Sequence, residues 1–190
     1  NKCACTWKPS IESVINGGSG CPKCCRSKME LHGEKVLKSI KSTPSMDSNH
    51  WSLIEFIQEF YLDGSQNRKG YKGCKTGVQR ADFMLKVRCG DGTIINIALE
   101  FDGLQHFTPV SFGGRKNVDE LKNDFLKRQY DDRQKEMYCE EKGFYMIRIS
   151  FSVPTVQFEK LIRQIITSFC TPPRHVKRIY KGAEYEDLLT

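Results

Sequence analysis

The chain has 190 residues, 38% of them hydrophobic and 11% aromatic, which suits one compact domain with a small appendage and argues against wholesale disorder. No stretch approaches the roughly 18 to 20 apolar residues that span a bilayer. The opening Asn1-Lys2-Cys3-Ala4-Cys5 has neither an initiator Met nor the apolar run of a signal peptide, so a soluble chain, either a fragment or a processed form, is expected. Thirty Lys and Arg against twenty-three Asp and Glu leave +7 at pH 7, compatible with a polyanionic partner without requiring one.

The nine cysteines do not read as a disulfide framework. Cys3, Cys5, Cys21 and Cys24 crowd the start, while Cys25, Cys74, Cys89, Cys139 and Cys170 are scattered and the total is odd. A reducing, intracellular setting fits that pattern better than a secreted one. Cys3-x-Cys5 and Cys21-Pro22-Lys23-Cys24 flank a loop whose Gly17-Gly18-Ser19-Gly20 run permits a tight turn. Four thiolates so spaced can surround one structural Zn²⁺, and the metal then drives folding of a segment too short to fold alone. Chance dithiols, or redox chemistry at Cys21-x-x-Cys24, are the competing explanations, and spacing favours Cys24 over Cys25 as the ligand.

Further along, Val36, Leu37 and Ile40 share one face of a helix expected over 31–42, with Gly33 preceding Glu34. Residues 51–62 are apolar and ambiguous between helix and strand. A polar loop over 64–80 follows, in which Arg68, Lys69, Lys72, Lys75 and Arg80 occur with no acidic residue, so a phosphate contact competes evenly with an ordinary solvated face. Cys74, between lysines, reads as an ordinary free cysteine. Residues 81–88 and 94–101 form a hairpin punctuated by Gly90-Asp91-Gly92, and the second arm is apolar enough to be a central strand covered on both faces. The longest helical pattern runs from Val118 to about 141 and stops at Gly143. A strand follows over 144–151. Pro154 then opens a last helix with an apolar face of Phe158, Leu161, Ile162, Ile165, Ile166 and Phe169. The tail from Thr171 is basic (Arg174, Lys177, Arg178, Lys181) and then acidic. There are no internal repeats, and the order predicts an α/β core with a mixed sheet.

The most informative residues break these patterns. Asp82 sits among Phe83, Met84, Leu85 and Val87, and Glu100 and Asp102 end an apolar strand. Such charges need compensation, which a divalent metal can supply. His106, one of four histidines, lies four residues beyond Asp102. Phe125 precedes Asp132 by seven residues and Cys139 follows it by seven, close to two helical turns either way, so Asp132 falls on the inward stripe. Asp131 and Asp124 are rotated from it by roughly 80 to 100° and are expected to meet water. Asp132 is then either a hydrogen-bonded core acid or the group that orients His106. Carboxylates on two adjacent strands, a neighbouring His and basic loops together suggest metal-assisted chemistry on a phosphate ester.

The strings Arg80-Ala81-Asp82-Phe83, Ala98-Leu99-Glu100-Phe101-Asp102-Gly103-Leu104-Gln105-His106-Phe107 and Tyr130-Asp131-Asp132-Arg133, leading to Ile147-Arg148-Ile149, resemble the very-short-patch-repair-like branch of the PD-(D/E)xK nucleases. That branch includes homing-type endonucleases of phages and large DNA viruses. The amino-terminal cysteines resemble the zinc ribbons that often precede such domains. The resemblance covers roughly residues 1–151 and implies a restriction-endonuclease-like core over 29–170, after a ribbon over 1–28 and before a tail over 171–190. It implies that Asp82, His106 and Asp132 match the signature acids and histidine. Its first Glu best matches Glu34, with Glu55 and Glu59 competing. One departure is plain: Asp102 stands where most PD-(D/E)xK members have a catalytic Lys, and His106 is the natural substitute.

The expectation is therefore an Mg²⁺-dependent DNA endonuclease in which Asp82, helped by Glu100, holds the metal, His106 acts as general base and Asp132 orients it. Double-stranded DNA is the expected partner, with RNA and a homodimer left open and no membrane involved. The rivals are a non-catalytic zinc-ribbon DNA-binding or assembly module on a nuclease scaffold, and a hydrolase of small phosphate esters.

Overall fold

The computed structural model describes residues 27–43, 51–62, 80–111 and 117–186. Strands β1 (Ser52–Tyr61), β2 (Arg80–Arg88) and β3 (Ile94–Asp102) form an antiparallel meander. Strand β4 (Tyr145–Ser150) pairs in parallel with β3, and β5 (Arg178–Lys181) in parallel with β4, giving one five-stranded mixed sheet in sequential order. Parallel neighbours need a crossover, and helices supply it: α2 (Val118–Glu141) lies between β3 and β4, and α3 (Phe158–Cys170) between β4 and β5. Helix α1 (Lys28–Ser42) precedes the sheet and a short α4 (Ala183–Glu186) follows it. The α/β architecture is as expected. The ambiguous stretch 51–62 is a strand, bulged between Leu53 and Glu55, and Arg178–Lys181, inside the expected tail, is the fifth strand.

Local chemistry explains the helix starts. Ser27 and Glu30 form a reciprocal capping box at α1, as do Asn117 and Glu120 at α2, each satisfying amides that have no partner within the helix. At the hairpin, Cys89 and Thr93 close the turn through a backbone bond and Gly92 takes φ 85°, a conformation that favours glycine.

Alternation along the central strands sorts the side chains between two faces. Phe83 and Leu85 on β2, Ile97, Leu99 and Phe101 on β3, and Ile147 and Ile149 on β4 join α1 and α3 in the main core. Val36, Leu37 and Ile40 of α1, and Phe158, Ile162 and Ile166 of α3, complete it. Burying each such side chain contributes about 1.5–3 kcal/mol. The opposite face packs Met84, Ala98 and Met146 against Cys139 of α2, and this smaller core leaves room for charge. Among the described residues, no helix is long and apolar enough to cross a membrane.

One close approach sets how α1 sits. A Cβ placed on Gly33 would clash with the Phe101 ring, and that ring is stacked on Phe158 (5.0 Å between centroids) and edge-on to Phe83. In an open helix Gly→Ala would gain about 1 kcal/mol from propensity. Here overpacking, typically about 1–3 kcal/mol, opposes it. Gly33→Ala is expected to lower the unfolding free energy by about 1 kcal/mol in urea titration; a gain would mean that Phe101 is free to yield.

Candidate active site

The face of the sheet under α2 carries what the apolar runs concealed. Asp82 of β2, Glu100 and Asp102 of β3, and Arg148 and Ser150 of β4 alternate with the main-core residues and so point toward α2. Glu100 is in register with Arg148, and Asp102 with Ser150. Helix α2 answers with Asp132, Lys135 and Glu136, which recur at helical spacing.

At the centre is a buried ion pair. Asp102 is 0% exposed and Arg148 4%. Arg148 donates from Nε to Asp102 Oδ2 at 2.8 Å and from Nη2 to Oδ1 at 2.7 Å, a bidentate fork. Tyr185 of α4 donates its hydroxyl to the same carboxylate. The remaining guanidinium edge reaches Glu136 Oε1 through Nη1 at 3.0 Å and Asp132 Oδ2 through Nη2 at 3.0 Å. Burial alone would push Asp102's carboxyl up, but the Arg148 charge and its two hydrogen bonds outweigh burial and hold it below the ordinary range. Asp102 was expected to need a metal for compensation; the protein supplies the counter-charge.

His106 stands in a 3₁₀ turn, Leu104–His106, directly after β3. Helix α2 grips that turn through Arg128, whose Nη1 donates to the Gln105 carbonyl at 2.7 Å. The ring nitrogen Nδ1 lies 2.7 Å from Asp132 Oδ2 and 3.5 Å from Asp102 Oδ1. Since Asp132 also faces Arg148, its carboxyl stays ionised: burial pushes it up, yet the His106 hydrogen bond and the Arg148 charge hold it well below the usual value. An ionised acceptor selects the Nδ1–H tautomer, which leaves Nε2 bare as a proton acceptor. His106 and Asp132 line a cleft of about 600 Å³ together with Tyr130, Glu136, Tyr180 and Tyr185. The inward phase expected of Asp132 is the phase it has, whereas Asp124 and Asp131, expected toward water, are half-buried.

Asp82 and Glu100 lie across from each other on β2 and β3, one step beyond the Phe83–Leu99 pair. Asp82 Oδ2 accepts the Phe101 amide at 2.8 Å. Burial, then the nearby Glu100 charge, raise its carboxyl well above the ordinary value. Glu100, 4% exposed, is likewise raised by burial, only partly offset by Lys135. Lys135 Nζ lies 3.0 Å from Glu100 Oε2, while Glu100 Oε1 is buried with no hydrogen-bond partner among the described residues. For Lys135 burial would favour the neutral amine, but Glu100 and Asp132 outweigh it and the ammonium is held above its usual value. Lys135 thus connects the Asp82–Glu100 pair electrostatically to the His106–Asp132 pair.

These residues fit a hard divalent cation. An orphaned carboxylate oxygen and two carboxyls raised by burial and by each other's charge leave the spot short of positive charge. Mg²⁺ characteristically takes one or two carboxylates and completes its shell with water and substrate phosphate. Among the described residues, no group of three or more His, Cys, Asp and Glu is gathered around one point, so any such ion would rest on that sparse pair.

The other expected residues fall elsewhere. Glu34 makes an ion pair with Lys38 along α1 at 2.7 Å; one turn earlier, Glu30 is the α1 carboxylate whose charge adds to the rise at Asp82. Glu55 is exposed, and Glu59 pairs with Arg80 at 3.3 Å, so Arg80 of the basic set carries a carboxylate partner. Cys3, Cys5, Cys21 and Cys24, together with Arg68, Lys69, Lys72 and Lys75, lie outside the described residues. Sequence reasoning missed Arg148, Lys135, Glu136 and Tyr185. An Arg inside an apolar strand, and a Lys three residues after an inward Asp on the same helix, are the signals that would have found the first two.

No protein-family model, curated protein or solved structure matches the chain.

The raised Asp82 carboxyl has a pH signature. Its folded-state value lies above the ordinary 3.8, so the folded protein binds that proton more tightly than the unfolded chain. The stability gained is complete below 3.8 and is lost as pH rises through the folded value. Asp82→Asn keeps an oxygen for the Phe101 amide and never ionises. In metal-free buffer it should gain on wild type as pH rises from 3.8 toward that value, by about 1.4 kcal/mol per unit of displacement. Urea unfolding between about pH 3.5 and 8 measures this; parallel profiles would mean that Asp82 titrates as a solvated carboxylate.

Proposed function

We propose that the chain is a metal-dependent endonuclease that hydrolyses phosphodiester bonds in double-stranded DNA, with a restriction-endonuclease-like core of the very-short-patch-repair-like branch and an amino-terminal four-cysteine zinc ribbon. The observation that carries the reading is the His106–Asp132 hydrogen bond of 2.7 Å on the wall of a cleft, with Lys135 linking it to the Asp82–Glu100 carboxylates.

In this reading Asp82 and Glu100 hold Mg²⁺, which when bound supplies neutralisation of the charge that develops on the phosphoryl oxygens. His106 takes a proton from the attacking water at Nε2. Asp132 fixes the ring's tautomer and stabilises the imidazolium once formed. Asp132 can do this because Arg148 keeps it ionised and in place. Lys135 is held as an ammonium, so it serves as a fixed positive charge beside Glu100 and not as a base. Asp102, tied up by Arg148 and Tyr185, is a positioning residue for the turn that carries His106.

The missing Lys of the Glu100-x-Asp102 string supports the same assignment of roles. With Asp at that position the strand cannot provide an amine, and Lys135 of α2 reaches the Glu100 carboxylate instead. The basic residues of 68–75 and the zinc ribbon would then contribute phosphate contacts, with affinity falling steeply with salt.

Zinc-loaded protein incubated with supercoiled plasmid and Mg²⁺ should convert it to nicked or linear form, and EDTA should stop the conversion. His106→Ala should retain DNA binding while losing about 10² to 10⁴ in cleavage rate, the usual contribution of a positioned base. Full cleavage by His106→Ala would remove His106 from the mechanism. DNA binding by wild type with no cleavage in any divalent metal would favour the non-catalytic binding module.

A further inference from the structure

On the main-core side of the sheet, two nucleophiles take no part in the chemistry above. Cys89 follows β2 at the mouth of the β2–β3 turn, and Cys170 is the last residue of α3, 81 positions later. Their sulfurs are 2.6 Å apart, and the residues are only 2% and 5% exposed. Two thiols that merely pack in an apolar core have no reason to approach so closely, since an S–H is a weak donor and a sulfur a weak acceptor.

A second, independent feature fixes the approach from outside. Arg174, four residues beyond Cys170, donates from Nη2 to the Cys170 carbonyl at 3.0 Å and to Asp91 Oδ2 at 2.7 Å. Asp91 sits in the turn two residues after Cys89. One guanidinium therefore clamps the end of α3 to the tip of the hairpin, and the two cysteines lie beneath it. The third described thiol, Cys139, is buried against the other face of the sheet within the smaller core.

We propose that Cys89 and Cys170 form an intramolecular disulfide that cross-links the β2–β3 hairpin to the carboxyl end of α3, made by exchange with a low-molecular-weight disulfide such as oxidised glutathione. One thiol loses its proton and its sulfur attacks a sulfur of the oxidant, breaking that S–S bond and releasing one glutathione thiolate. The second thiol loses its proton and attacks the protein sulfur of the mixed disulfide, releasing the second glutathione. The two cysteines give up two electrons and two protons, and the oxidant becomes two thiols.

Burial pushes the Cys170 thiol up, and the neighbouring Cys89 adds to it, so the attacking thiolate is scarce in the closed protein. Formation is then slow and proceeds through opening of the turn under Arg174. Once formed, the bond is shielded from reductant by the same clamp. The proposal is independent of the hydrolytic reading, since neither cysteine lies on the α2 face.

The test uses the full zinc-loaded chain held in oxidised glutathione, quenched with N-ethylmaleimide under denaturing conditions and mapped by mass spectrometry without reduction. The expected result is one peptide pair joining Cys89 to Cys170 that dithiothreitol separates. With it should come a rise in Tm of about 5–15 °C over the reduced protein, the scale for closing a long loop. Cys139→Ser should leave both intact, and Cys89→Ser should abolish both. If a serine variant does not fold, the wild-type peptide map decides alone. Recovery of Cys89 and Cys170 alkylated, or joined to glutathione or to other cysteines, would overturn the proposal.

Discussion

The contact on which the rest of this molecule depends is the fork between Arg148 and Asp102. Taking both charges out of water costs several kcal/mol per ion, and a simple pair would barely recover that. Here the guanidinium also reaches Asp132 and Glu136, and Tyr185 donates to the carboxylate, so nearly every polar edge is satisfied. The network gathers β3, β4, α2 and α4 around one cation. An apolar replacement could fill the space, but it could not tell α2 which of its turns must face the end of β3. That register places Asp132 against His106 on the wall of the cleft.

Along the α2 face the balance of charge is uneven. At one end Arg148 is surrounded by Asp102, Asp132 and Glu136 and is fully compensated. At the other end Lys135 is the cation paired with Glu100 and felt by Asp82, and among the described residues an oxygen of Glu100 has no hydrogen-bond partner. In the proposed chemistry the compensated end fixes geometry and the under-compensated end receives the cation. On this face Ala98, Met84 and Met146 form a smaller apolar cluster than the aromatic core opposite.

Much of this was legible from the chain. Asp82, Glu100 and Asp102 stood out because a charge inside an apolar run must be answered by something, and Asp132 because helical phase turned it inward. What answers them carried only faint signals. Arg148 lies within Tyr145–Ser150, where a run buried on both faces erases the alternation that would have marked its side. Lys135 belongs to a helix so rich in Lys, Arg, Asp and Glu that one inward ammonium is indistinguishable by composition from the solvated ones. Tyr185 comes from beyond β5, in a stretch whose charge pattern reads as a tail until its strand finds β4. Strand β1 stayed ambiguous because its bulge and half-exposed positions break the two-residue period.

The proposed chemistry stands or falls on an ionised Asp132 delivering His106 to the cleft with Nδ1 protonated and Nε2 bare. Long-range ¹H–¹⁵N correlation of the His106 ring, at a pH where the ring is neutral, reads the tautomer directly. The expected spectrum shows a protonated Nδ1 and an unprotonated Nε2, with Asp132→Asn removing that preference. A ring protonated at Nε2 in the wild type would contradict the assignment, because no base would then face the cleft.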